Sequence, residues 1–364
     1  MNRILVFHNQ LWSQYKSCIF EGLHKQVENS ELLVIQTSIS EEIRKDLVNF
    51  DVHSYPYQYP FHLLNNKTLE SSNSFSTALS WIYWIFKFKP TAINLTGYSE
   101  LGTLPVLLIS RLFGIKTYMT NESVLGFQHH PTTFLNRIKK AYKTFLFSMT
   151  TGFFSYGINS NTFLFFHGVP KQKIKLFLNA FDKSKFLSAG NKEVEPMEKY
   201  ILFVGRLSPE KNLDALIALA KYIKSQQLNY HLIVVGDGPL KSSFIKQISD
   251  LPIQYKGLVV WEQLAELYRH AAALYLPSII EPWGMVANEA QELGIPVICS
   301  EACGCAHDLI ISTYSGLVCD ENNCEEIFEY LNKGFSSDFI RKNARIFSVE
   351  KLVDQMQIAL ESHG

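Results

Sequence analysis

One pattern recurs four times between Tyr200 and Ser300: a short apolar run, a turn that carries glycine, then a stretch with helical spacing. It is written YILFVGRLSPEKNLDALIAL, then HLIVVGDGPL, then IQYKGLVVWEQLAELYRHA, and last AALYLPSIIEPWGMVANEAQELGIP. Strands joined through helices in this way run parallel, because a parallel pair needs a long crossover where an antiparallel pair needs only a turn. The recurrence predicts an α/β fold with a doubly wound parallel sheet whose ligands lie outside the carboxyl ends of its strands. The charged residues of interest fall at those ends.

Ala272 to Leu276 reads as a short buried strand, and Met285 to Leu293 as a helix stopped by Gly294. Glu281 then stands in the loop at the helix entrance, and Glu289 more than a turn inside. A rise of ~1.5 Å per residue sets their carboxylates roughly 10 Å or more apart, well beyond the about 5 Å that the acid and nucleophile of a retaining glycosidase need. Carboxylates so spaced fit separate parts of one elongated anionic ligand, its phosphates facing the N–H groups of Gly284, Met285 and Val286. A nucleotide sugar has that shape. Met alone, the same residues also fit a helix-capping carboxylate and a solvated face residue. The turn before the first of the four helices carries Arg206 and Lys211. Two cations between a strand end and a helix start suit a diphosphate clamp, although such residues met alone are more often solvated surface cations.

Five stretches, GRLSPEKN, VVGDGPL, GLV, YLPSIIEPWGMVANEA and GIPVICS, follow one another between Ile201 and Gly316. In order and spacing they resemble the nucleotide-binding half of family-4 retaining glycosyltransferases, which have the GT-B fold of two Rossmann-like doubly wound domains facing across a cleft. The resemblance implies that Gly205, Arg206, Lys211 and Gly236 surround the diphosphate of a nucleotide-sugar donor. It further implies that Glu281 binds the transferred sugar and Glu289 the ribose, that the backbone of Trp283, Gly284, Met285 and Val286 closes around sugar and phosphate, and that Leu258 and Val259 meet the base. It implies transfer with retention to a hydroxyl of a glycan or lipid-linked acceptor, in bacterial surface polysaccharide or glycolipid synthesis. Donor binding would draw the two domains together, and Arg206, Lys211 and the helix start would hold the leaving diphosphate. No metal or other cofactor is implied, and the chain has no Asp-x-Asp, the metal-binding signature of the other large glycosyltransferase fold. Cys303 and Cys305, with His307 near, lack the wider spacing and fourth ligand of a zinc site, and the segment CGCAHDLI reads instead as a small-residue turn and helix start.

The first half alternates too. Ile4–Phe7, Leu32–Gln36, Ala92–Leu95, Lys116–Thr120 and Gly152–Ser155 read as strands, and Thr103–Phe113 and Thr133–Phe147 as helices. Residues 1–180 are expected to form an acceptor-binding domain and 181–348 the nucleotide-sugar domain, joined through the polar stretch between Phe177 and Lys199. The C-terminal helix, 349–364, is expected to pack back on the first domain, as in the resembled family. Here the resemblance is weaker. Relatives carry a glycine pair in the first loop and a histidine after the fourth strand, whereas this chain has HNQLWSQYKS and MTNESVLGFQHH. Asn121 and Glu122 stand near the histidine's place, with Glu122 a candidate to assist the acceptor, and His129 and His130 offer an imidazole instead. Glu122 also fits a plain helix cap.

A chain of 364 residues with 47% hydrophobic content can bury two cores. Its six cysteines lack a disulfide framework, which suits a reduced, cytoplasmic setting. The opening MNRILVFHN reads as a first strand rather than a secretory signal, and no apolar window reaches the ~20 residues of a spanning helix. Net charge is zero but uneven: residues 1–180 hold 17 Lys and Arg against 10 Asp and Glu, and residues 181–364 hold 17 against 24. In FLNRIKKAYKTFLF, Phe134 to Phe147, four cations interleave with large apolar residues. Such a helix suits peripheral contact with an anionic membrane, at the inner face for a cytoplasmic protein. It equally suits an ordinary amphipathic helix with a core-facing apolar side and solvated lysines. A neutral chain without a nucleic-acid motif has no evident nucleic-acid partner. Two rival functions remain on this reading: another enzyme of the fold, such as a sugar-nucleotide epimerase or a polyglucan synthase or phosphorylase, and a non-catalytic partner subunit that binds nucleotide sugar.

Overall fold

The structure, a computed structural model, describes residues 2–11, 14–26, 30–40, 57–97, 102–125, 134–176, 179, 199–344 and 348–361. The chain divides into two units, Met1–Leu178 with Val349–Gly364, and Asn179–Ser348. The first sheet comprises β1 (Asn2–Gln10), β2 (Ser30–Ser38), β3 (Phe61–Leu63), β4 (Ala92–Thr96), β5 (Lys116–Asn121), β6 (Gly152–Ser155) and β7 (Ile174–Leu176). Its order is β3-β2-β1-β4-β5-β6-β7, with every pairing parallel. The second comprises β8 (Lys199–Val204), β9 (Tyr230–Val235), β10 (Ile253–Gly257), β11 (Ala273–Leu276), β12 (Val297–Cys299) and β13 (Gly316–Val318), in the order β10-β9-β8-β11-β12-β13, again all parallel. Strand order reverses between β1 and β4 in one sheet and between β8 and β11 in the other. Those are the switch points at which a doubly wound sheet opens a crevice at its carboxyl edge.

The central strands are long apolar runs because both faces of a parallel sheet are covered; Ile4, Leu5, Val6 and Phe7 are completely buried. In the first unit Leu5, Phe7, Ile93 and Leu95 meet side chains from the helices Ser74–Phe88, Thr103–Leu112, Phe134–Met149 and Gly157–Phe166. Asn73 starts the first of these, its side chain accepting the N–H groups of Phe75 and Ser76 at 3.0 and 3.1 Å. The final helix, Val349–Glu361, lies beside the helix Gln14–Gln26. It buries Leu352, Val353, Met356 and Leu360, each contributing on the order of 2 kcal/mol. Tyr118 donates its hydroxyl to Ala359 O at 2.7 Å, and Ser30 donates to Glu361 at 2.6 Å. The second core is built from Ile201, Phe203, Leu232, Val234 and Tyr275 against Leu216 and Ala220 of the helix Leu213–Ser225.

The sequence reading did not name β3, β7, β12 and β13, nor the helices Ser74–Phe88, Gly157–Phe166, Cys324–Lys333 and Ser337–Ala344. The four strands have only three residues each and two of them close the edges of the first sheet, too short for an alternation to register. The helix Ser74–Phe88 is apolar around most of its circumference, which hides its period.

Candidate active site

The second sheet's switch point delivers Lys211 and Glu281. Lys211 closes the short 3-10 turn Pro209–Lys211 that follows β8, and Glu281 stands in the loop that follows β11. Their side chains meet, the Lys211 ammonium donating to Glu281 Oε2. Both are mostly buried, at 18% and 10% side-chain exposure. A backbone bond ties their two loops together, Ile279 N–H donating to Glu210 O at 2.9 Å, and Gly304 N–H, beyond β12, donates to Glu281 O at 2.8 Å. Arg206 is half-buried one residue beyond Gly205. Burial works against the Glu210 carboxylate, but the Ser208 hydroxyl at 2.5 Å, its own backbone N–H, and the charges of Lys211 and Arg206 hold it below the usual range. The turn is thus a cationic ledge with its one acidic side chain already engaged.

Gly236 permits a close approach behind this ledge. Its φ is +138°, and a Cβ there would lie 1.8 Å from Gly205 O, so any side chain would drive the β8 and β9 turns apart. Leu207 N–H donates to Asp237 O at 3.0 Å, and Tyr255 donates its hydroxyl to Gly236 O at 2.9 Å. Beyond β10, Leu258 is exposed and Val259 half-buried.

Gly284, at φ +94°, turns the chain into the helix Met285–Glu292. Its missing side chain leaves room for Glu281, whose Cγ would stand 3.4 Å from a Cβ. Trp283 is buried and donates its indole N–H to Asn288 at 2.7 Å. The first-turn N–H groups at Met285 and Val286 have no acceptor within the helix, so the helix start offers partial positive charge beside Glu281. Glu289 is 1% exposed and accepts the Tyr268 hydroxyl at 2.8 Å. It is therefore not the solvated face residue that the sequence left open.

Cys299, Cys303 and Cys305 are buried beneath the Glu281 loop, and Cys303 donates to Leu276 O at 3.5 Å. Hydrogen bonding with Cys303 and Cys305, then burial, pushes the Cys299 thiol well above its ordinary value, which suits packing rather than ligation or nucleophilic chemistry. Among the described residues no group of three or more His, Cys, Asp or Glu is arranged to hold a metal ion. The residues after Cys305 form a π-helical segment, Ala306–Ile311.

In the first unit Asn121, the last residue of β5, is buried and tied inward, its amide donating to Ser160 Oγ at 2.6 Å. Glu122 is half-exposed and pairs with Lys16 at 2.6 Å. The next described helix begins at Phe134, so Glu122 is not the helix cap that the sequence left open. His129 and His130 lie outside the described residues. Sequence reasoning missed Lys16, whose ammonium also reaches Tyr156 Oη at 2.5 Å. Burial disfavours its charge, but Glu122 and Tyr156 outweigh that and hold Lys16 above its ordinary value. Burial also pushes the Tyr156 hydroxyl up to about 12. A lysine two residues into the helix after β1 sits at a carboxyl edge, and that position is the signal that could have found it.

His8 lies in the same buried corner, its Nδ1 2.9 Å from both Gln10 O and Gln36 Oε1. Burial, with Lys16 adding repulsion, lowers it to about 4 despite the Gln36 bond. The unfolded chain then binds a proton that the native state refuses. The native advantage is full above pH ~6.5 and is lost as pH falls toward about 4, with on the order of 3 kcal/mol at stake. Urea midpoints at pH 7 and pH 4.5 are expected to fall less for His8→Gln than for the parent chain. Parallel falls would contradict the assignment.

Residues 185–347 match the family described as glycosyl transferases group 1. An uncharacterized glycosyltransferase of Methanocaldococcus jannaschii is 33% identical over 150 residues, which are 37% of this chain and 38% of that protein; the chain thus matches well under half of that relative's length. The capsular polysaccharide biosynthesis glycosyltransferase CapM of Staphylococcus aureus is 24% identical over 282 residues, 72% of each chain. Among solved structures, Anabaena HepE in complex with UDP and glucose superposes over 100% of both chains at a TM-score of 0.71 and 17% identity. The two parallel sheets with their flanking helices are those of GT-B glycosyltransferase structures. By fold the chain has GT-B architecture, and within it residues 185–347 are similar to the group 1 glycosyltransferases.

Proposed function

We propose that this chain is a retaining glycosyltransferase that moves a hexosyl group from a nucleoside-diphosphate sugar to a hydroxyl of a glycan or lipid-linked acceptor. One observation carries the reading: Lys211 and Glu281 meet at the switch point of the second sheet, beside the start of the helix Met285–Glu292. A cation and a helix start suit a diphosphate, and a carboxylate next to them suits the hydroxyls of the sugar attached to it. The relatives add support, HepE in complex with UDP and glucose and CapM in capsular polysaccharide biosynthesis.

In the reaction the acceptor oxygen bonds to the anomeric carbon as the bond from that carbon to the β-phosphate oxygen breaks. Arg206, Lys211 and the first-turn N–H groups neutralise the departing diphosphate, the electrostatic task that a divalent metal performs at other sites. The acceptor proton passes to the departing phosphate oxygen, on the face from which the donor leaves. Glu281 orients the sugar, Glu289 the ribose, and Leu258 and Val259 border the base. Glu122, held by Lys16, is the acceptor-side carboxylate.

A thermal-shift panel of UDP, GDP, ADP, CMP and their sugar conjugates tests the donor site. A ligand at about 100 times its Kd adds ~2.7 kcal/mol, a rise of several degrees for a chain of this size. One nucleotide family is expected to give that rise and Lys211→Ala to abolish it. A panel without any shift would favour a non-catalytic partner subunit.

A further inference from the structure

The helix Phe134–Met149 is mounted with its apolar stripe outward. Phe134, Leu135, Ile138, Tyr142 and Phe145 are all exposed, Phe134 at 79%. Lys140 and Lys143 turn toward the body instead, 3.7 and 5.5 Å from the ring centroids of Phe166 and Phe163. Only Leu146 and Phe147, near its end, are buried. The apolar side is thus not core-facing, while Arg137 and Lys139 are exposed. Burying those five side chains is worth several kcal/mol that folding leaves uncollected.

Neighbouring helices continue the face. Phe75, Leu79, Tyr83 and Phe86 form an exposed stripe along Ser74–Phe88, and Leu108 and Leu112 project from Thr103–Leu112, Leu112 at 79% exposure. Phe86 meets Phe113, just past Leu112, edge to face at 5.7 Å between ring centroids, and Thr103–Leu112 packs beside both Ser74–Phe88 and Phe134–Met149. An apolar surface spread over three adjacent helices marks a docking site. Its charge identifies the occupant. The three helices contain Lys87, Arg111, Arg137, Lys139, Lys140 and Lys143 and no Asp or Glu. None of the described helices is long and apolar enough to cross a membrane.

We infer that this three-helix face of the first unit lies on an anionic lipid bilayer, its aromatic and aliphatic side chains entering the headgroup boundary while Arg137 and Lys139 pair with lipid phosphates. Apolar insertion and basic attraction together give stable surface binding where either alone is marginal. The inference stands apart from the transferase reading, because binding needs neither donor nor acceptor.

Co-sedimentation of the full chain with vesicles of phosphatidylcholine, with and without phosphatidylglycerol, tests it. Binding is expected on anionic vesicles at low salt, weakened at least tenfold in Ile138→Glu/Tyr142→Glu and weakened by high salt. Both side chains are exposed, so the variant's thermal melt is expected to match the parent's. Absence of binding, or equal binding by the variant, would overturn the inference. So would a parent dimer in sedimentation velocity that the variant dissociates, since the face would then serve a second copy of the chain.

Discussion

Glu281→Gln is expected to bind free nucleoside diphosphate more tightly than the parent chain while transferring sugar at least a thousandfold more slowly. The Lys211 ammonium donates to Glu281 Oε2. An incoming diphosphate must therefore share that cation with a carboxylate that also repels it. Two unit charges about 4 Å apart interact by ~4 kcal/mol at the effective dielectric of a partly buried site, and much of this is returned as solvation. A three- to tenfold tightening, about 1 kcal/mol, is the expected remainder. The sugar then lacks its charged partner in the transition state, and a loss of about 4 kcal/mol there is a thousandfold in rate. Lys211→Ala is expected to lose both diphosphate binding and turnover, and also some stability because a buried carboxylate is left unpaired. Calorimetric titration with UDP or the preferred diphosphate, beside turnover assays, separates these effects. Unchanged or weaker binding by Glu281→Gln would remove the pair from the donor site.

Gly236→Ala is expected to be among the most damaging substitutions for the fold itself. The new Cβ would stand 1.8 Å from Gly205 O. Neither backbone yields easily, because Gly205 N–H donates to Val235 O at 3.0 Å and Gly236 N–H to Gly257 O at 2.9 Å. Strain at a positive φ and overpacking each cost about 1–3 kcal/mol. The second unit is expected to melt about 8 °C or more below the parent, at ~2–4 °C per kcal/mol for a domain of this size. Differential scanning calorimetry measures it, and a drop under about 2 °C would show that the two turns separate cheaply. Arg206 rides on the displaced turn, so the variant should also bind nucleotide poorly.

The sheets were legible because parallel strands are buried on both faces and read as unbroken apolar runs ending at glycine. Ala272–Leu276 as read is β11, Ala273–Leu276, and Gly152–Ser155 as read is β6 to the residue. What lay hidden depends on which strands become neighbours. Lys211 and Glu281 are 70 positions apart, and they meet only because β8 and β11 pair across the reversal. Lys16, Glu122 and Tyr156 come together in the same way from three separate strand ends. The burial of Glu289 was hidden for a different reason: MVANEAQE looks polar, yet the small side chains of Ala287 and Ala290 let the helix press against its neighbours. The setting of Phe134–Met149 was equally illegible, since a helical wheel shows two stripes and only tertiary packing chooses which faces the body.

The helix Val349–Glu361 belongs to the first unit, although Asn179–Ser348 separates it from the rest of that unit in sequence. At Gly22 the two helices pack so closely that a Cβ there would lie 2.7 Å from Val353 Cγ2. On the ribosome, the first unit is therefore completed only after the second has been translated. All of Asn179–Ser348 must be translated before Leu352, Val353, Met356 and Leu360 can cover it, an interval on the order of ten seconds or more at ordinary elongation rates. During that interval the nascent first unit lacks the cover that Leu352, Val353, Met356 and Leu360 will provide.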